Sequence, residues 1–243
     1  DITQPELGIV TGVNEQHLAL FGSMENLLSA EGGDELLRAL PHNGLLVVNG
    51  DNKYCLDLYK KALDLKTVRA KLYAQKRDRV DADIWTEDID VQKNHLSFIA
   101  MSKDKDVGHF LVNVLGRHNV QNLLAAITIA KEFGMSLEEI AGAAKGIIPE
   151  QAGITLKMGA HGIEVIDSSH SSNPDGVMAD LDYLSLFPQK RFVFMPCLIE
   201  LGEKSAEIHY QIGKKIAHIC EMAIITTRDK FEDIKEGAMA NGM

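Results

Sequence analysis

The sequence lacks a phosphate-binding loop. No GxxxxGK[ST] occurs, and no GxGxxG follows a strand-like segment. The chain therefore cannot cradle a nucleoside triphosphate by that device alone. GxSxG is missing too, which excludes the usual serine-hydrolase elbow. No window approaches the roughly 18 uninterrupted apolar residues of a membrane span, so membrane insertion is not expected. Asp1-Ile2-Thr3-Gln4-Pro5 has neither the basic region nor the apolar core of a signal peptide. It also lacks an initiator Met and runs almost at once into an apolar strand, as a piece of a longer chain would. Cysteine is scarce. Cys55, Cys197 and Cys220 are far apart, odd in number, and form no CxxC pair or zinc set. Buried thiols in a reducing, cytoplasmic setting are the expectation. Basic residues are in deficit, 25 Lys+Arg against 35 Asp+Glu, for a net charge of −10. Such a field repels phosphate backbones, so nucleic acid is not an expected partner. An anionic small substrate would need local cations or a metal.

What is present fits an ordinary globular protein: 45% hydrophobic and 25% charged residues. At about 100–200 residues per domain, 243 residues make one large or two small domains. Leu7 to Val13 reads as a buried strand, Met24 to Leu40 as a helix, Leu45 to Asn49 as a second buried strand and Tyr54 to Leu63 as a helix. That order predicts an α/β sheet with parallel strands. Segments near 67–74, 83–89, 94–102 and 107–114 read as antiparallel strands or an edge extension. Asn119 to Phe133 carries Val120, Leu123, Leu124 and Ile127 at helical spacing and stops at Gly134. Ser136-Leu137-Glu138-Glu139 is a capping box opening a further helix that ends near Gly146. Pro149 to Gly153 is the candidate linker. A second α/β unit follows, with strands at 162–167, 191–195 and 222–226, and helices from Pro174, from about Lys204 to Cys220, and at the end.

Three segments carry candidate chemistry. Thr11 to Leu18 follows the first strand, where ligands gather in α/β sheets. His17 there is a possible divalent-metal ligand, with Glu15 a carboxylate nearby. An ordinary surface histidine is the simpler reading of the same residues. Gly116-Arg117-His118-Asn119-Val120-Gln121-Asn122 leads into a helix. Asn119 and Asn122 can share a helical face, and an amide suits an adenine edge. Arg117 adds charge at a helix N-terminus that favours an anion. Capping by His118 or Asn119 is the plainer role. Asp167-Ser168-Ser169-His170-Ser171-Ser172-Asn173-Pro174-Asp175 clusters an acid, an imidazole and hydroxyls at a strand's carboxyl end. Asn173 as N-cap with Pro174 behind it is also a sound helix start. His209 and His218 are nine apart and read as surface or core histidines.

In this order, the segments resemble the Mur ligase family, and within it the branch that joins D-alanyl-D-alanine to a UDP-MurNAc-peptide. Thr11 to Ser23 is similar to the family's "TNIGEAHLELFGS", Gly116 to Asn122 to its "GRHNxxN", Asp167 to Pro174 to its "DDSYNANP" and Leu198 to Gly202 to its "MxELG". The resemblance implies an α/β chain. Residues 1–148 would be the later part of a P-loop-type central ATPase domain, and 149–243 an incomplete Rossmann-like C-terminal domain. It implies an ATP-dependent amide ligation with ATP and Mg2+ as cofactors, inactive in this stretch alone. His17 would help hold a magnesium ion. Arg117, Asn119 and Asn122 would face ATP, joined by Asp167. His170 and Asn173 would lie near the incoming amine substrate. Two positions depart from the family. Glu31 stands where a carbamoylated lysine of "AKAKGE" belongs, and would bring its own carboxylate. Ile154 stands where an Arg follows the linker glycine, with Lys157 nearby as the substitute cation. These departures leave open a non-catalytic Mur-like binding or scaffold protein. A related ligase with another acceptor, of folylpolyglutamate or cyanophycin type, is the third reading.

Overall fold

A computed structural model describes residues 4–78, 80–148, 153–170 and 172–243. The linker expected at 149–153 lies outside the described residues except for Gly153, and Ser171 lies outside them too. The chain divides into two compact units. The first comprises residues 1–13, 25–91 and 95–148, the second 14–24, 92–94 and 149–243. Among the described residues no helix is long and apolar enough to cross a membrane.

The first unit is built on a six-stranded sheet in sequence order: β1 (Leu7–Val10), β2 (Leu45–Asn49), β3 (Arg69–Ala74), β4 (Ile84–Val91), β5 (Leu96–Ser102) and β6 (Val107–Val112). Strand β2 is buried at every residue, as the apolar run Leu45-Leu46-Val47-Val48 requires of a central parallel strand. β1, β2 and β3 are parallel, and Tyr73-Ala74 pairs in parallel with Ile84-Trp85. The antiparallel pairing therefore begins only with β4, and all four segments extend the same sheet, the second of the two alternatives read from the sequence. Leu45 and Val47 share one core with Phe98, Phe110 and the helices α5 (Asn119–Glu132) and α6 (Leu137–Ala144). Phe98 and Phe110 are cross-strand partners whose rings stack at 4.9 Å. Leu46 and Val48 alternate to the opposite face, which is also fully buried.

Three helices precede β2: α1 (Leu18–Phe21), which lies in the second unit, α2 (Met24–Glu31) and α3 (Asp34–Ala39). The single helix expected over Met24 to Leu40 is thus broken at Gly32-Gly33. Gly33 has φ +93°, and a Cβ there would lie 2.7 Å from the side chains of Leu58 and Val10. Only glycine combines that backbone with that approach. α4 (Lys53–Leu65) starts at Asn52, whose side chain accepts from the amides of Tyr54 and Cys55. α5 ends at Gly134 (φ +90°), and the Ser136/Glu139 capping box starts α6.

The second unit holds a hairpin of β7 (Thr155–Met158) and β8 (Glu164–Asp167), then α7 (Pro174–Leu184), β9 (Phe192–Met195), α8 (Ser205–Ile219), β10 (Met222–Ile225) and α9 (Phe231–Met239). β9 and β10 are parallel across α8. β8 instead pairs antiparallel with β7, a strand that the sequence reading missed. The core joins α7, α8 and α9 through Val177, Leu181, Ile212, Ile216 and Ile234. α8 and α9 touch backbone to backbone, because a Cβ on Gly213 would sit 1.9 Å from the Ile234 carbonyl oxygen. All three cysteines are buried free thiols, and burial pushes Cys55 and Cys220 up to about 11.

Candidate functional site

In the first unit the carboxyl ends of β1, β2 and β3 are wired together by one turn. Asn49 is 2% exposed. Its amide donates to the Thr11 carbonyl (2.9 Å) and its oxygen accepts from the Asp51 amide (2.9 Å). Asn52 donates to the Val13 carbonyl at 2.9 Å. The Asp51 carboxylate accepts from the Gln75 amide at 2.7 Å, with the Gln121 side chain at 3.5 Å. The sequence reading ended the strand at Asn49 and assigned the turn after it no role. The signal was there, since Asn and Asp side chains bond local backbone in turns.

Gln121 belongs to the first turns of α5, where Asn119 and Asn122 also sit. Asn122 donates to the Asn119 side-chain oxygen (2.9 Å), and Asn119 donates to the Leu115 carbonyl (2.7 Å). The capping role is corrected here. His118 is the N-cap residue but makes no side-chain cap, and Asn119 is already the first helical residue. The opening amides of α5 bond to the carbonyls of Gly116, Arg117 and His118. Arg117 is exposed in the preceding loop, and Glu31 is exposed at the end of α2.

In the second unit, residues from three segments singled out in the sequence meet. The Asn14 amide donates to Asp175 at 2.9 Å, while its oxygen accepts from the Gln16 amide. His17 Nδ1 lies 2.5 Å from the Glu200 carboxylate, and the Ala19 amide donates to the Glu200 carbonyl at 3.0 Å. His17 (φ 65°) and Glu200 (φ 64°) both occupy the left-handed region, uncommon for residues with a Cβ. Gly202 (φ +54°) follows, and a Cβ added there would be in van der Waals contact with Leu18 and Ala19. The loop before α8 is pinned from inside by His209, which is fully buried. His209 Nε2 accepts from the Leu198 amide at 2.9 Å, so its proton resides on Nδ1, 2.7 Å from the Ser205 carbonyl. The sequence reading had left His209 as surface or core and assigned Glu200 no role.

Asn173 caps α7, accepting from the Gly176 amide at 2.8 Å with Pro174 at the first helical position. A cavity of about 240 Å³ opens beside it, with Glu15, Asp175, Glu207 and Lys204 at its polar side and Met178 and Ile208 among its apolar walls. Lys157 and Asp167 are brought together at 2.6 Å across the hairpin. The Lys157 ammonium first, then the Ser169 hydroxyl and amide, hold Asp167 well below the usual carboxylate range. His170 is exposed. Ile154 is 7% exposed, so it packs and offers no surface to an anion.

Among the described residues no three His, Cys, Asp or Glu side chains cluster to hold a metal. Magnesium at a nucleotide takes most of its ligands from phosphate and water and only one or two from protein. His17 has one ring nitrogen left for such a role once Nδ1 is occupied by Glu200.

Residues 1–130 match the Mur ligase middle domain. The chain belongs to the Mur ligase family. It is 25% identical over 251 residues to a UDP-N-acetylmuramoyl-tripeptide–D-alanyl-D-alanine ligase of Mycobacterium bovis, covering all of this chain and 48% of the relative. It is 31% identical over 192 residues to a UDP-N-acetylmuramate–L-alanine ligase of Endomicrobium trichonymphae, covering 79% of this chain and 40% of the relative. The fold matches that of the MurF ligase from Thermotoga maritima in complex with ADP, with a TM-score of 0.79 and 17% identity over 96% of this chain and 51% of that one. The chain thus spans about half the length of the Mur ligases it matches.

Proposed function

We propose that this chain is the nucleotide- and acceptor-handling half of an ATP-dependent amide ligase of peptidoglycan precursor synthesis. Its acceptor would be D-alanyl-D-alanine, added to a UDP-MurNAc-peptide. The observation that carries the reading is the meeting, in the second unit, of the Asn14–His17 loop, the Asn173–Asp175 helix start and Glu200. Asn14, His17 and Glu200 lie in two of the four segments that resemble the family, and Asp175 directly follows a third. Residues 1–148 would be the later central domain and 149–243 the C-terminal domain.

ATP with Mg2+ supplies the phosphoryl group that turns a peptide carboxylate into an acyl phosphate open to an amine. The chain's own residues bind and orient. His17 would hold the ion through Nε2. Asn119, Asn122 and Arg117 would face the nucleotide. Glu31 would supply the carboxylate that a carbamoylated lysine supplies in the family. Lys157 would replace the arginine absent at Ile154, though its charge is already matched by Asp167. The acceptor would lie near Asn173 and His170, and the cavity beside α7 opens at Pro174 and Asp175, the residues that follow Asn173. There the Glu15, Asp175 and Glu207 carboxylates suit an ammonium group, and Lys204 suits a carboxylate. A zwitterionic dipeptide carries both.

The identity of 31% to an L-alanine ligase favours a second reading with L-alanine as acceptor. The test is ADP release by the natural protein that carries this chain, with each amine in turn. Turnover with D-alanyl-D-alanine is the expected result. Turnover with L-alanine alone would establish the second reading, and none with any amine would leave a non-catalytic binding protein.

A further inference from the structure

We propose that Glu200 is a positioning residue for His17. Its carboxylate holds the neutral imidazole as the Nδ1–H tautomer, which leaves the Nε2 lone pair for a ligand. The inference rests on the reading above, in which His17 faces the divalent ion. Which ring nitrogen of a histidine carries the proton is set by the hydrogen bond that the other nitrogen makes. Here the Glu200 oxygen lies 2.5 Å from Nδ1, and a carboxylate can only accept.

The surrounding backbone is arranged to keep that contact. Both residues sit in the left-handed region. Residues held in such conformations persist only when their surroundings over-determine them, and they cluster at functional sites. Here the surroundings are identifiable. The Ala19 amide bonds to the Glu200 carbonyl, so main chain and side chain of Glu200 both grip the His17 loop. A Cβ added at Gly202 would already lie 3.5 Å from the Leu18 side chain and 3.6 Å from the Ala19 amide nitrogen, so little room separates the two loops there. His209, buried in α8, fixes the Leu198 amide two residues before Glu200. About a third of each side chain of the pair stays accessible, 36% for His17 and 33% for Glu200. The imidazole is therefore clamped at one nitrogen while part of the ring still meets solvent.

The test uses 15N-histidine labelling of the chain, at a pH where His17 is neutral. The expected spectrum shows a protonated Nδ1 and an unprotonated Nε2. Glu200→Gln keeps an accepting oxygen and should retain this tautomer. Glu200→Ala should lose it, with the His209 tautomer unchanged as an internal check on folding. A wild-type His17 protonated on Nε2, or an unaltered tautomer in Glu200→Ala, would overturn the proposal. A second measurement takes the natural protein with ADP and titrates Mn2+ by electron paramagnetic resonance. Glu200→Ala should weaken Mn2+ by about 10–100-fold, as the loss of an outer partner of a metal-bound histidine does. Glu200→Gln should stay near wild type. Unchanged Mn2+ affinity in His17→Ala would remove the metal reading of His17, whereas the tautomer result judges Glu200 by itself.

Discussion

Replacing His209 by leucine tests how the candidate site is held from beneath. Leucine keeps comparable bulk within α8 but can neither accept nor donate a hydrogen bond. The Leu198 amide, 2.9 Å from Nε2, would lose its acceptor in a place where Leu198 itself is buried. A buried donor left unsatisfied costs about 1–3 kcal/mol. The Ser205 carbonyl loses less, because at the start of α8 it also lies within the helical ladder. His209→Leu should therefore destabilise the second unit by about 2 kcal/mol. His209→Ala should cost more, since it adds a cavity. Denaturant unfolding gives the magnitude. Amide hydrogen exchange gives the location: protection should fall first at Leu198 and then at Ala19, whose amide bonds to the Glu200 carbonyl. Stability within about 0.5 kcal/mol of wild type, the range of an ordinary surface substitution, would refute the reasoning if exchange at Leu198 were also unchanged.

Gly213→Ala should destabilise by about 3 kcal/mol or more in denaturant unfolding, because its Cβ would meet the Ile234 carbonyl at 1.9 Å and backbone cannot swing aside. The Ser102 hydroxyl first, then Lys131, hold Asp104 down to about 2, and Lys131 chiefly lowers its neighbour Asp106. Depressed carboxylates add stability above their unfolded values, near 3.8, that is lost as pH falls through the folded ones. Acid unfolding of Asp104→Asn should then show a shallower fall between about pH 4 and 2 than wild type, and identical acid limbs would count against it. Glu31→Gln should lower magnesium-dependent ATP turnover in the natural protein, and an unchanged rate would remove Glu31 from the site.

Much of the fold was legible where one residue type forces one backbone. The run Leu45 to Asn49 is buried throughout, as a central parallel strand must be. Gly134 and the Ser136/Glu139 box mark the end of α5 and the start of α6. Elsewhere tertiary contacts decided. Leucine spacing over Met24 to Leu40 suits one helix, yet Gly33 lies against Val10 and Leu58, and that approach breaks it. Arg69 to Ala74 mixes apolar and polar residues like a solvent-facing antiparallel strand, but its carboxyl half is buried between β2 and β4. β7 has only four residues, with Lys157 among them, and no period can be read from so few.

The candidate site was legible as a set of segments but not as contacts. His17 and Glu200 lie 183 positions apart, and nothing in either residue type predicts a left-handed backbone. The charge balance has a sharper consequence. A net charge of −10 means that an anionic substrate needs local cations or a metal. The lysine proposed in place of the family's arginine, Lys157, is already paired with Asp167 at 2.6 Å. Such a pair adds little net positive potential, and exposed pairs are weakened further by salt. Under the proposed function, the charges assigned to phosphate oxygens are a divalent ion and Arg117, which is exposed in the loop before α5. Under that proposal, ion binding is a step on which turnover by the natural protein would depend. Of the residues proposed for it, His17 is the one whose ring the fold already clamps, at Nδ1 against Glu200.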